Sequence, residues 1–168
     1  MATKNKYEQR GSAVQNDVVI RRVFDLPVSK VWQALTEPEG FRKWWGPKGF
    51  TCPFSKMEAR VGGKYLNCMR GPDGKEFWST GVVKEFKPGK KLVISDHFSD
   101  ENGNIKSASD DYGMPGDWPM DFLITFELEE ADSATKLKLR HEGIPEESHD
   151  DCVKGWNESF DKLEETIG

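Results

Sequence analysis

Residues Met120–Glu142 read MDFLITFELEEADSATKLKLRHE, and the fold turns on this stretch. Met120, Phe122, Ile124, Phe126 and Leu128 place an apolar side chain at every second position. After the turn-forming run Glu130 to Ser133, Leu137 and Leu139 repeat the pattern, with Lys136, Lys138 and Arg140 between and beside them. A period of two is the period of a strand. Apolar residues alternating with charged ones describe a sheet packed on one face and wet on the other. A connection this short joins antiparallel neighbours. Just beyond, Ser148 is placed to cap a helix, and Asp150 and Asp151 suit the positive end of its dipole. Cys152, Trp156, Phe160, Leu163 and Ile167 then follow at steps of four, four, three and four, a single apolar stripe. Gly155 and Ser159 lie beside the stripe and predict a close approach of the helix backbone to a neighbour.

Moving back toward the N-terminus, Leu92–Phe98, Glu76–Phe86, Lys64–Met69 and Ser55–Ala59 are β-prone runs. Pro88-Gly89, Pro72-Asp73-Gly74 and Gly62-Gly63 separate them as turns. Asp17 to Phe24 supplies another strand. Between it and the others, Pro27 and Ser29 open a helix with Val31, Trp32 and Leu35 on one face. Thr36, Pro38 and Glu39 open a second one carrying Phe41, Trp44 and Trp45, and Gly46-Pro47 stops it. The order predicts an α+β helix-grip fold: a curved seven-stranded antiparallel sheet wrapped around a long C-terminal helix, with two short helices after the first strand. Ser99 to Pro119 is polar and irregular, which predicts a lid, a binding loop or a disordered insertion, yet it carries Tyr112, Met114 and Trp118, which a purely solvated loop does not need. Residues 1–16 lack periodicity and read as a flexible tail, leaving 17–168 as one domain.

Composition narrows the function. The chain has 168 residues and a formal net charge of −5, so nucleic acid is not expected as the main partner. No apolar run approaches the roughly 20 residues of a membrane span, and Met1 to Lys6 open no secretory signal, so a cytoplasmic domain is expected. Cys52, Cys68 and Cys152 stand far apart with no metal-ligand spacing and read as reduced, buried thiols; no metal or cofactor is implied. The nucleophile-elbow, phosphate-loop, zinc-protease and dinucleotide-binding motifs are all absent, and no residue is assigned a catalytic role.

The stretch Val31-Trp32-Gln33-Ala34-Leu35-Thr36-Glu37-Pro38-Glu39 followed by Trp44-Trp45-Gly46-Pro47-Lys48-Gly49-Phe50 resembles the SRPBCC (START-like) superfamily. Within it, the resemblance is to the group named after the C-terminal domain of the heat-shock ATPase activator. Gly62-Gly63-Lys64-Tyr65, Gly81-Val82-Val83-Lys84-Glu85 with Pro88, Leu137 to Gly143, and Gly155-Trp156 through Leu163 extend it over about Asp17 to Ile167. The resemblance implies a cavity for hydrophobic ligands in many members, catalysis in a few and chaperone binding in the eponymous one.

The candidate site residues follow from parity. His141 shares the parity of Leu137 and Leu139, so its ring points to the concave face; it either orients a polar ligand group or is satisfied by a neighbour. Asp96 shares the parity of Leu92 and Ile94; it is either an inward carboxylate, with an Asp96–His141 pair as one arrangement, or a strand-end group facing water. Trp45, beside the Gly-Pro stop, is a pocket wall, whereas Trp44 packs helix to sheet. Met69, Trp78, Ile94, Phe98, Phe122, Ile124, Trp156 and Phe160 either fill the core or border a void. Tyr112, Met114 and Trp118 either form a flexible lid edge or pin the loop down as hydrophobic anchors. The expected function is binding of a small hydrophobic or amphipathic molecule in an internal cavity, by a monomer or homodimer. The alternatives are a chaperone or ATPase-regulating protein module, and a cyclase- or hydrolase-like enzyme with His141 as base.

Overall fold

The computed structural model describes residues 17–119 and 122–167; the expected tail (1–16) and Met120 lie outside them. Period-two alternation is realised as seven strands: β1 Val18–Phe24, β2 Thr51–Met57, β3 Lys64–Arg70, β4 Glu76–Lys87, β5 Lys91–Ser99, β6 Phe122–Ala131 and β7 Ala134–Glu142. They form one antiparallel sheet in the order β1-β7-β6-β5-β4-β3-β2. Helices α1 Val28–Thr36 and α2 Pro38–Phe41 follow β1, α3 Ala108–Tyr112 lies in the long β5–β6 connection, and α4 Glu146–Ile167 closes the chain. The sheet curls around α4 as a half-barrel, the α+β grip that the sequence predicts. No helix among the described residues is long and apolar enough to cross a membrane.

Four local features differ from the sequence expectation. β2 spans Thr51–Met57 rather than Ser55–Ala59, because Pro53, which argues against a strand, is tolerated on this edge strand beside a register shift between Thr51 and Phe54. Thr36 ends α1 instead of capping α2; its hydroxyl donates to Trp32 O at 2.8 Å. Ser148 sits inside the first turn of α4, and its hydroxyl donates to Pro115 O at 3.0 Å. The irregular connection contains α3, capped by Ser107 Oγ accepting from Asp110 N at 3.1 Å.

Curvature comes from β4 and β5. Their register shifts between Val83 and Glu85, a bulge that bends the strand. A Cβ on Gly81 would overlap Ser95 O, so only glycine lets the two backbones approach at the bend. Inside the grip, Phe24, Val31, Leu35, Trp44, Leu139, Phe160 and Leu163 are fully buried. Trp44 Nε1 donates to Ala34 O at 2.7 Å, which ties α1 to the turn after α2. Arg22 on β1 reaches Asp161 (2.9 Å) and Glu164 (2.7 Å) on α4. Lys162 Nζ donates to the carbonyls of Gly46, Pro47 and Phe50 at 2.9, 3.3 and 3.0 Å, fixing the loop that carries Trp45.

Candidate functional site

The face that α4 turns to the sheet changes character along its length. Toward the C-terminus it presents Trp156, Phe160 and Leu163. Toward the N-terminus it presents the small residues Ser148, Cys152 and Gly155, and the small Ser159 continues this row beyond Trp156. The concave sheet continues past them, so side-chain volume is missing there and a cavity of about 280 Å³ remains. Gly155 does not serve the close backbone approach expected of it: a Cβ there would sit 3.6 Å from Pro47 Cγ, an ordinary contact. The small residues make room instead of admitting a neighbouring backbone.

Eleven of the candidates border this cavity. Trp45, stacked on Phe41 and edge-on to Trp156, closes one side. Met69, Asp96, Phe98, Phe122, Ile124 and His141 come from β3, β5, β6 and β7, and Trp156 from α4. Met114 and Trp118 form the outer edge. Trp118 packs against Phe98 and Phe122, and its indole N–H donates to Pro115 O at 2.8 Å. Ser148 binds the same carbonyl, so this segment is tied to the first turn of α4. Trp78 also reaches the cavity, but strand alternation turns its ring to the convex face, where it lies 5.7 Å from Phe54. Phe77, one residue earlier, supplies the wall on the concave side.

Ile94, Tyr112 and Phe160 stand off the cavity wall. Ile94 pairs with Ile124 and Val83 two residues deeper along β5, where the core is closed. Tyr112 supports the lid from behind: its ring lies against Phe77 and Phe98, while its hydroxyl donates to Ser99 O and accepts from Trp78 N. Phe160 sits one turn further down α4, stacked on Trp44 and edge-on to Phe24. Trp44 itself is packing, as expected.

Two titratable side chains are buried in the wall, each 8 % exposed: Asp96 and His141; Ser148 and Ser159 are buried there too, and the exposed Asp151 borders the cavity. Asp96 and His141 do not pair. Asp96 is on β5 and His141 on β7, with β6 between, so strand spacing alone separates them by about 10 Å. Asp96 does not face water either. Tyr65 Oη lies 2.6 Å from Asp96 Oδ1 and 2.7 Å from Ser95 O. Burial pushes the Asp96 carboxyl up to about 7, against the pull of the Tyr65 hydrogen bond. At His141, Trp156 Nε1 donates to Nδ1 at 3.1 Å. Burial pushes this imidazole down to about 3. His141 Nε2 is buried with no hydrogen-bond partner, the one such side-chain atom found among the described residues. No Lys or Arg lines the cavity.

The sequence reading missed Phe77, Pro115, Cys152, Gly155 and Ser159 as wall residues. A signal existed for the last three: Ser148, Cys152, Gly155 and Ser159 recur at steps of four, three and four, a stripe of small residues beside the large one.

A family model described as "Activator of Hsp90 ATPase homolog 1-like protein" matches residues 25–168. No curated protein matches the sequence. Among solved structures, the chain is similar to a crystal structure from Chromobacterium violaceum at 28% identity, with a TM-score of 0.75 and coverage of 91% of this chain and 97% of that one. An AHSA1 protein from Silicibacter pomeroyi shares the fold at 19% identity and TM-score 0.71, covering 90% of this chain and 96% of that one. A Mycobacterium smegmatis protein does so at 19% identity and TM-score 0.76, with coverage of 94% and 93%.

Proposed function

This chain belongs to the activator of Hsp90 ATPase homolog 1-like family, and from that premise we propose that it binds a small hydrophobic or amphipathic molecule inside its grip. The observation that carries the reading is the cavity of about 280 Å³ walled by aromatic and thioether side chains. Its volume is near the lower end of small-molecule sites, about 300–1,000 Å³. A ligand burying about 200 Å² of apolar surface there gains roughly 5 kcal/mol before ordering costs. That predicts affinities no tighter than about 0.2 mM for simple probes.

Two alternatives have less behind them. A hydrolase- or cyclase-like enzyme with His141 as base needs a nitrogen free to take a proton near neutral pH. Here Nδ1 already accepts from Trp156, and burial opposes protonation. A chaperone-regulating surface needs a contiguous apolar patch. The exposed large hydrophobics Val19 and Val23 sit on β1, Phe54 on β2 at the opposite edge of the sheet, and Val61 and Ile105 in separate connections.

A thermal-shift screen of the full chain against lipids and aromatic metabolites, at millimolar concentration, tests the proposal. A ligand at a hundred times its Kd stabilises by about 2.7 kcal/mol, and a Cys152→Phe variant that fills the cavity abolishes the shift. No stabilisation by any compound, or a shift that survives Cys152→Phe, overturns it.

A further inference from the structure

Resting on the ligand-binding reading, we infer that the bound molecule is a small uncharged compound whose carbonyl-type oxygen accepts a hydrogen bond from His141 Nε2–H.

The proton position follows from geometry. An indole N–H is a donor only, so the nitrogen it faces must present a lone pair. Trp156 Nε1 faces His141 Nδ1 at 3.1 Å, so the ring proton of the neutral imidazole is on Nε2. That N–H is buried and has no protein acceptor. Native structures satisfy nearly all such groups, and an orphaned one is costly. Around the ring, Val18 and Ile124 are the cross-strand neighbours, and the rings of Phe122 and Trp156 flank it edge to face. None of their side chains offers an acceptor. His141 borders the cavity while Nε2 itself is covered, so an acceptor arriving from the cavity reaches it when a wall side chain gives way.

The charge of the ligand follows from the rest of the wall. With no Lys or Arg bordering the cavity, a carboxylate would be desolvated without a counter-charge. A cation would meet the positive end of His141 N–H, the buried carboxyl of Asp96 is already engaged, and Asp151, the other carboxylate of the lining, is exposed to water on α4. The Tyr65 hydroxyl has one proton but lies within hydrogen-bond distance of both Ser95 O and Asp96 Oδ1. Both contacts are satisfied when Asp96 is the acid and donates to Tyr65 while Tyr65 donates to Ser95 O. In that state both buried titratable groups of the wall are neutral. Size follows from the volume: at about 30 Å³ per water-sized group, the cavity holds roughly nine.

Acetophenone, α-methylstyrene and benzoate share one shape and differ in the group attached to the ring: a carbonyl, a methylidene and a carboxylate. Calorimetric or fluorescence titration of the full chain is expected to give an acetophenone-to-α-methylstyrene affinity ratio that falls about tenfold in His141→Phe, because only the carbonyl loses a partner. Benzoate is expected to bind more weakly than acetophenone. In the wild-type protein labelled with ¹⁵N-histidine, acetophenone should move the His141 Nε2–H proton downfield well beyond the ring-current change that α-methylstyrene produces. That measurement decides alone if His141→Phe fails to fold. If both neutral probes bind, yet the ratio is unchanged in the variant or the resonance responds equally to both, the inference falls and the cavity reading stands. Benzoate binding as tightly as acetophenone also overturns it. Failure of all three probes to bind at millimolar concentration overturns the inference, while the thermal-shift screen decides the cavity reading separately.

Discussion

The two halves of α4 face the same concave sheet and meet it differently. In the C-terminal half, Phe160 and Leu163 interlock with Phe24, Trp44 and Leu139, all fully buried. In the N-terminal half, Ser148, Cys152 and Gly155 leave the sheet unfilled, and the segment with Met114 and Trp118 borders the gap. Trp156 stands at the boundary: its ring packs toward Phe160 at 5.7 Å and Trp45 at 5.4 Å, and its N–H orients His141. The lesson is that amphipathic period and packing volume are separate variables. Both halves keep the helical period that points residues at the sheet, but only one half carries the volume to fill the space.

The largest test of this contrast is Phe160→Ala, which should cost about 3–5 kcal/mol in urea unfolding because a packed site cannot collapse. A cost below about 1 kcal/mol would mean that the packed half is as loose as the other. Next is pH. Asp96 is pushed up from 3.8 to about 7, so the folded state holds its proton more tightly. Its contribution is present below pH 3.8 and is lost as pH rises toward 7. His141 is pushed down from 6.5 to about 3. Its contribution is present above pH 6.5 and is lost as pH falls toward 3. Over the shared window, from about pH 4 to 6.5, the two oppose each other. Asp96→Asn should therefore lose stability on acidification more steeply than wild type, and His141→Phe should gain relative to it. Urea midpoints across that window check both, and three parallel profiles would contradict the burial assigned to these groups.

Smaller effects sharpen the picture at the cavity end. Gly155→Ala should stabilise the protein by up to about 1 kcal/mol through helix propensity, since the added methyl meets only Pro47 at ordinary distance. The same methyl narrows the cavity, so it should also weaken acetophenone binding; stabilisation with unchanged affinity would place the ligand elsewhere. Met114→Ala, at the half-buried lid edge, should cost less than about 1 kcal/mol in unfolding while loosening binding. A cost equal to that of Phe160→Ala would erase the distinction between the two halves.

Much of the frame was legible in the residues. The alternation in β6 and β7 fixed which side chains face inward, and the observed register pairs Ile124 with His141 and Phe126 with Leu139 as that alternation requires. The inward parity of Asp96 was legible for the same reason. Its separation from His141 was not, because parity says which face a residue takes and nothing about how many strands lie between. Trp78 was chosen over Phe77 because parity in β4 cannot be counted without its pairing to β3 and β5. Thr36 and Ser148 looked like caps, but each hydroxyl found a backbone carbonyl instead, Trp32 O within the same helix and Pro115 O across the lid.

The order of strands and helices, the one-sided sheet, the stripe along the last helix and the inward face of His141 were all written in the sequence, because periods of two and of about three and a half are properties of local backbone geometry. The unfilled volume, the lid that covers it and the nitrogen of His141 that bears the proton were decided by the tertiary structure. Each depends on groups far apart in the chain, such as Trp156 against His141 and Ser148 against Pro115, and no local period records which distant side chains will meet or how much space they will leave.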